Sequence, residues 1–527
     1  MSATVPPVPP AASKAAKPAL VGLVFLGLLQ AIQAADPNIS STALLSAGKA
    51  LDMGTLSALA ASISTFVLAA SVITTGMLAD RLGRRKVLMS ALVISAAGDL
   101  LAAVAPDTMV YLGGRALAGL GLGAVFGASF AYVKAFASGK GGLPAALGVY
   151  MAVGGLFIVV ITFVGSSLVG VDWRMAFVVI PVLSLISVPL SLVVLPKDGR
   201  RESTTAPWDI VGQLLLALGI IAFLYGVSHA TNGIATVLTI VPTLIGIGVL
   251  AAFALWERRK GDAGFFPIRL FRNPLFLAAV FAGLVYNLSS GVLLLSFSNL
   301  FQYANDLHGL KLSLIQLPYL IAAIVGALVV GRLRGAGRLS VRGTILVGTV
   351  ITVLGMLLFA ATAIARPSNA LAFIPALVVV GIGVVIPSIP YGGLILRTAD
   401  PAHYGAVSSS RTTIGQFWYA LGLAGSTVLI DSLTRSAVSS KLGPSAVKEL
   451  DTWAASGGKP SNPDVLHDAA HAFSSSFAIA MVVFAAIVAI GGIIGGYLLK
   501  RHLATDPPAS EDIHPPVPTS TASSPAS

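Results

Sequence analysis

Cysteine is absent from all 527 residues, which excludes disulfides, thiolate catalysis and cysteine-bound metals. Charge is scarce as well: Asp, Glu, Lys and Arg make up only 10% of the chain, far too little for an ordinary soluble globule. Acids are rarer than bases, 21 against 33, for a formal net charge of +12. That excess sits in small clusters between apolar runs and never forms a stripe on a polar domain, which argues against nucleic acid as a partner. No P-loop, Ser/His/Asp set or paired-carboxylate arrangement presents itself, so neither an enzyme nor an ATP-driven pump is expected. His467 and His471 share a helix face in a polar lead-in without a third ligand; no metal and no cofactor are assigned.

What is abundant is apolar surface. Hydrophobic residues reach 56%, with 55 glycines and a mean hydropathy of +0.89. A helix crossing the roughly 30 Å hydrocarbon core needs about 20 apolar residues, and fourteen runs of that kind lie between Leu20 and Leu499. Strands would need alternating patterning and a closed barrel, so the reading is an all-α polytopic membrane protein. The run Leu20 to Ala35, behind Lys14 and Lys17, lacks a convincing cleavage site and reads as an uncleaved first span.

Residues 1–19 and 504–527 are rich in Pro, Ser, Thr and Ala and are expected to be disordered tails. Residues 20–195 read as a first six-helix bundle, 196–273 as two linker spans with their loops, and 274–503 as a second six-helix bundle carrying an external loop at 431–472. Placing both termini in the cytoplasm puts most Lys and Arg in cytoplasmic segments and fixes the orientation. Arg115 and Arg411 remain inside or at the edge of spans.

The stretch after the second span concentrates charge: Asp80, Arg81, Arg84, Arg85 and Lys86 follow Gly76 and surround Gly83. Four of these are a plain basic stop signal, but an acid adds nothing to orientation and asks for a partner. A weaker copy, a span-closing Gly331 followed by Arg332, Arg334 and Arg338, comes after the tenth span without the acid. Parallel halves of this kind mark transporters whose substrate path lies between two bundles.

Here the chain resembles the major facilitator superfamily, and in particular its fourteen-span drug:proton antiporter family of multidrug exporters. Gly76-x-Leu-Ala-Asp80-Arg81-x-Gly83-Arg84-Arg85 matches the superfamily's loop motif, and Tyr111 to Gly123 resembles the fourth-span motif, with Ala118 where Gln is usual. Ala35 to Leu44 resembles the first-span signature, and Pro267 to Asn273 and Arg411 to Gln416 fall where that group has similar stretches. One departure stands out. The family's fifth span carries a Gly-Pro pair and a double glycine upstream of a Trp-Arg, here Trp173-Arg174, whereas this chain has Val160-Ile161 and Val164-Gly165. The resemblance associates that motif with export, so its loss leaves the direction of transport open.

Asp36 lies about 24 Å along its span and is costly when ionised there, so it takes up a proton readily. It reads as a proton carrier or a contact for a cationic substrate, with Gln30, Gln33 and Asn38 as polar neighbours, or else as a cap on a break at Pro37. Asp99 and Arg115 are both about 10 Å from the same outer turn on neighbouring antiparallel spans and can pair. Such a pair is either structural or, as the family motif implies, a modulator of proton affinity at a nearby acid. Gly119, Gly123 and Gly127 continue the Arg115 face and invite close helix packing.

Tyr286, Asn287, Asn299 and Gln302 in the ninth span, with Gln316 and Tyr319 in the tenth and Trp418 in the thirteenth, give the second half an uncharged polar and aromatic lining suited to a bulky amphipathic solute. The resemblance further implies that Gly76, Asp80, Arg81, Gly83 and Arg84 form a latch between halves, with Asp80 engaging the start of the span that contains Arg411.

The leading expectation is thus a monomeric, proton-coupled exporter of amphipathic or cationic small molecules in a bacterial inner membrane, with protons, substrate and lipids as its partners. The same fold moving a lipid or lipid-linked molecule is the alternative. A membrane scaffold or sensor working through residues 431–472 is the third reading.

Overall fold

The computed structural model describes residues 16–500 except 54–55, 138–141, 198–207, 231–232, 262–263, 265, 306, 308, 400–403 and 457–462. Nearly all of both expected tails lies outside the described residues. Among the described residues, fourteen helices are long and apolar enough to cross a membrane. They are α1 Ala19–Leu44, α2 Ser62–Leu82, α3 Arg84–Ala103, α4 Thr108–Phe136 and α5 Gly142–Leu168. The next are α6 Trp173–Val194, α7 Ile210–His229, α8 Val237–Lys260, α9 Pro274–Gln302 and α10 Leu314–Gly335. The last are α11 Val341–Ala365, α12 Ala370–Thr398, α13 Ala406–Leu442 and α14 His467–Lys500.

Without water to satisfy them, backbone groups in a bilayer must bond within the segment, and a long apolar run therefore folds as a helix. Polar residues mark several starts: Asp107 accepts from the Val110 amide at 2.9 Å and Ser340 from the Gly343 amide at 3.0 Å. Proline is tolerated inside spans. The first helix runs unbroken from Ala16 to Ala50 through Pro37, so the break there does not exist and Asp36 caps nothing.

The helices form two six-helix bundles plus two central spans. The first core gathers α1, α3, α4, α5 and α6, with Tyr111, Trp173 and Phe177 packed edge to face. The second is built around Phe297, Phe301, Phe359, Phe373 and Phe477. The extra hairpin α7–α8 lies against α2 and α13, where Phe223 stacks on Phe417 at 5.0 Å between centroids.

The bundles meet tightly toward the end that carries the Asp80–Lys86 loop, the basic end. Gly148 on α5 approaches α10 so closely that a Cβ there would stand 2.7 Å from the Ala327 carbonyl oxygen. Thr413 on α13 donates to the Ala69 carbonyl on α2 at 3.0 Å.

The segment 431–472, expected as a loop, is largely helical. The helix that contains α13 spans Tyr404–Leu442 and the last helix Pro463–Lys500, each about 58 Å long against a core of about 30 Å. A short helix, Pro444–Ser456, lies between them. Helicity persists because local pairing and a small apolar contact replace the bilayer: Arg435 bonds Asp431 one turn back at 2.7 Å, Lys441 bonds Asp468 across the gap at 2.8 Å, and Val438, Ala446 and Ala469 pack together.

Candidate functional site

Three spans deliver charge to one buried point. Asp36 comes from α1, Asp99 from α3 and Arg115 from α4, and none exposes more than 1% of its surface. Arg115 clamps Asp36 with two bonds, Nη1 to Oδ1 and Nη2 to Oδ2, each 2.8 Å, and Nη1 also donates to Asp99 Oδ1 at 2.5 Å. Ser64 of α2 donates to Asp36 Oδ2 at 3.2 Å. The guanidinium carbon lies 5.3 Å from the Phe177 ring centroid. Gly119, one turn along α4, lets α2 in: a Cβ there would stand 2.2 Å from the Ser64 carbonyl oxygen.

Two carboxylates and one guanidinium sum to −1 when all are ionised, and to zero when one proton is held. Both Asp36 oxygens are engaged, whereas Asp99 Oδ2 is buried without a hydrogen-bond partner among the described residues. Burying such a group dry is costly, and a proton on that oxygen is the change that neutralises the cluster.

A second buried charge lies far from the first. Arg411 on α13 is 5% exposed and stands over the rings of Phe130 at 4.6 Å, Tyr391 at 5.3 Å and Phe126 at 5.7 Å. Its Nη2 reaches only Met151 Sδ, at 3.9 Å, and its Nε has no partner among the described residues. Cation–π contacts of this kind offset roughly 0.5–2 kcal/mol each, short of what burying an unpaired charge costs. Phe126 and Phe130 lie 11 and 15 residues beyond Arg115 on α4, which separates the two charges by about 17–22 Å. Met151 Sδ also accepts from Gln30 Nε2 at 3.8 Å, and Gln30 sits six residues before Asp36, so polar groups run from one charge to the other along α1.

The stretch 400–403, just before the span that contains Arg411 and where Asp80 is expected to engage it, lies outside the described residues. Asp80 holds Arg84, one turn on, at 2.9 Å. Gly76 is buried within α2, Gly83 turns the chain at φ 108°, and the Arg81 guanidinium carbon lies 4.6 Å from the Trp208 ring at the foot of α7.

The expected lining is only partly drawn together. Gln33 is buried on the Asp36 face, but Asn38 bonds back to the Ala34 carbonyl at 3.3 Å. Tyr286 and Asn287 occupy a π-helical turn at Leu284–Leu288, a feature common at functional sites, and Asn287 donates to the Gly283 carbonyl at 2.9 Å. Gln316 donates to Ser298 at 2.8 Å, and the Tyr319 ring lies 5.5 Å from Phe297. Asn299 and Gln302 are half-buried on α9. Trp418 packs against the second core, as Tyr286 and Tyr319 do, and with Leu216, Phe223, Leu250, Phe271 and Phe417 it also borders an apolar cavity of about 260 Å³ between the α7–α8 hairpin, α9 and α13.

Sequence reading missed Ser64, the aromatic box around Arg411, and a carboxylate pair at the foot of the extra hairpin. There Trp256 Nε1 donates to Asp209 Oδ1 at 2.9 Å, while Glu257 accepts from the Phe266 amide at 3.3 Å. Only the helix-capping position of Asp209 signalled that pair in advance.

The Major Facilitator Superfamily model matches residues 26–423. The chain belongs to that superfamily. Over 454 residues this superfamily member is 27% identical to the multidrug resistance protein B homolog of Mycobacterium tuberculosis strain CDC 1551, covering 81% of this chain and 82% of that protein. It is 24% identical to the quinolone resistance protein NorB of Staphylococcus aureus strain MW2, over 59% of this chain and 66% of that one. Among solved structures it shares the fold of the proton:xylose symporter XylE, with a TM-score of 0.58 at 10% identity over 92% of this chain and 96% of that one. The human organic anion transporter MFSD10 gives 0.54 at 15% identity, over 94% and 100%. The protein is thus a major facilitator transporter, with fourteen helices among the described residues long and apolar enough to span a membrane.

Proposed function

We propose that this transporter exports amphipathic small molecules, cations among them, by exchange for protons across a bacterial inner membrane, as a monomer with both termini in the cytoplasm. The observation that carries the reading is the buried Asp36–Arg115–Asp99 cluster, whose formal charge is −1 with both carboxylates ionised and 0 with one proton held. A charge change in low dielectric biases the packing of the spans that hold it, which is the coupling that alternating access requires. Relatives named for multidrug and quinolone resistance support a drug-like cargo. Residues 20–195 and 274–503 would then rock about the cluster, with residues 196–273 as linker spans and the Gly76–Arg84 turn as the latch at the basic end.

The test is uptake of ethidium into everted vesicles or proteoliposomes. It should require a pH gradient and vanish both in Asp36→Asn and in Asp99→Asn; uptake that survives without the gradient, or in both variants, would sink the coupling role.

The apolar cavity beside Trp418 favours a second reading, in which the cargo is a lipid. Its walls carry no group that would recognise a drug's charge, yet they suit an acyl chain. Transfer of a fluorescent phospholipid between leaflets of proteoliposomes, with no ethidium transport, would select that reading.

A further inference from the structure

We infer that Asp209 and Glu257 form a second proton-binding site, a carboxylic acid–carboxylate pair that takes one proton from the basic end and fastens the α7–α8 hairpin to the connection into α9. The inference goes beyond the transport reading and does not depend on it.

Asp209 caps the first turn of α7, Glu257 lies in the last turn of α8, and the antiparallel hairpin brings them to one point, 4% and 1% exposed. Neutral donors hold them there. Asp209 Oδ1 accepts from the Gly212 amide at 3.1 Å and from the Trp256 indole at 2.9 Å, and Glu257 Oε2 accepts from the Phe266 amide at 3.3 Å. The other two oxygens converge: a Cβ on Gly212 would stand 2.6 Å from Glu257 Oε1 and 2.8 Å from Asp209 Oδ2, and the two side chains are within reach of a mutual hydrogen bond. Both atoms are acceptors, and Oε1 has no hydrogen-bond partner among the described residues. Two ionised carboxylates share such a spot only at high cost, whereas one proton between them supplies the donor and removes one charge.

The cations around the pair belong to the rim of the basic end. Lys260, three residues on along α8, holds its Nζ 5.2 Å from the Trp256 ring centroid, and Arg81 of α2 stands over Trp208. Arg258, Arg259, Arg269 and Arg272 are exposed. Screened by water, such charges offset little of the repulsion between two buried carboxylates. Their rim is one turn from Glu257, and it sets the side with which the pair exchanges its proton. Loss of that proton drives the carboxylates apart, and Glu257 moving away strips the Phe266 amide of its acceptor. The connection is wrapped closely around this carboxylate: a Cβ on Gly264 would stand 2.1 Å from Oε2. Phe266 is also the first of three rings, with Phe271 at 6.3 Å and Phe276, at the head of α9, 5.3 Å beyond it. Phe271 borders the apolar cavity, so a pair that lets go of Phe266 loosens one wall of that cavity.

The test is amide hydrogen exchange at Phe266, read by mass spectrometry on the full-length protein in lipid nanodiscs at about pH 6 and about pH 9, a window in which exposed carboxylates stay ionised. Glu257→Gln carries a permanent donor toward Asp209 and a permanent acceptor for Phe266, so it fixes the protonated arrangement. Dividing the wild-type rate by the Glu257→Gln rate at the same pH cancels the intrinsic effect of pH on exchange. The ratio should be about one at the lower pH and about ten at the higher, where the wild type has released its proton and the variant has none to release. Asp209→Asn keeps the acceptor for Gly212 and Trp256, turns a donor toward Glu257, and should behave as Glu257→Gln does; it decides the matter should Glu257→Gln fail to fold. A ratio that is the same at both pH values would overturn the inference, because a purely structural contact has no proton to lose. Asp99→Asn should keep the wild-type response at Phe266; its disappearance there would assign the proton to the Asp36–Arg115–Asp99 cluster and overturn the second site. Ethidium uptake judges the transport reading separately, since exchange at Phe266 is measured without any substrate.

Discussion

Arg115 holds both oxygens of Asp36 at 2.8 Å and reaches Asp99 with the same Nη1 at 2.5 Å, so one guanidinium neutralises part of two carboxylates that have no access to water. Removing it leaves the carboxylates facing each other in low dielectric. Arg115→Met should lower stability by about 3–5 kcal/mol, read as a drop in unfolding temperature in detergent, whereas adding Asp36→Leu and Asp99→Leu should recover most of the loss. A single variant as stable as the wild type would mean that the cluster is not buried as described.

The two acids are not equivalent. Asp36 is clamped at both oxygens, while Asp99 has Oδ2 buried and unbonded among the described residues, so under the proposed coupling the exchangeable proton is assigned to Asp99. Asp99→Asn leaves the Asp36–Arg115 clamp in place and should fold normally, yet release no proton when ethidium binds. The wild type should release about one proton per ethidium, because binding shifts the cluster between its two charge states. Release that persists in Asp99→Asn would transfer the carrier role to Asp36.

Gly119 sets how closely α2 and α4 approach. A methyl group there meets the Ser64 carbonyl at 2.2 Å, and Ser64 is also the residue that bonds Asp36. Gly119→Ala should cost about 1–3 kcal/mol by overpacking. It should also weaken pH-driven ethidium uptake more than Gly113→Ala, a position with open space around it. Equal activity in both variants would show that the helix spacing does not reach the cluster.

Much of this arrangement is legible in the linear chain because a bilayer leaves few choices. Apolar runs of the right length become helices, and antiparallel neighbours joined by the short turn at Pro106–Thr108 bring Asp99 and Arg115 to one depth. The meeting of Asp36 with that pair is not legible, since it depends on how α1 crosses α4. Arg411 and Trp418 show the same limit: depth follows from residue counts, but the face a side chain presents is set by packing between distant spans. The hydropathy signal likewise ends where the bilayer ends, and the helices beyond Asp431 persist through ion pairs and small apolar contacts that it does not register.

The bundles are closed toward the basic end, and the absence of cysteine makes this closure easy to follow. Leu147 on α5 and Gly393 on α12 face each other across the seam, with the Leu147 Cδ1 3.7 Å from where a Gly393 Cβ would stand. In a Leu147→Cys, Gly393→Cys protein these are the only thiols, so a short bifunctional reagent reports on the seam alone. If the unprotonated cluster favours the closed seam and protonation favours its opening, as exchange of outer protons for inner substrate requires, crosslinking should be efficient at alkaline pH and fall at acidic pH. The same pair with Asp99→Asn should crosslink to a pH-independent extent, because the group that reports the proton is gone. Equal yields at both pH values in the parent pair would break the link between the cluster and the seam, while a pH response surviving in Asp99→Asn would place the proton sensor elsewhere in the chain.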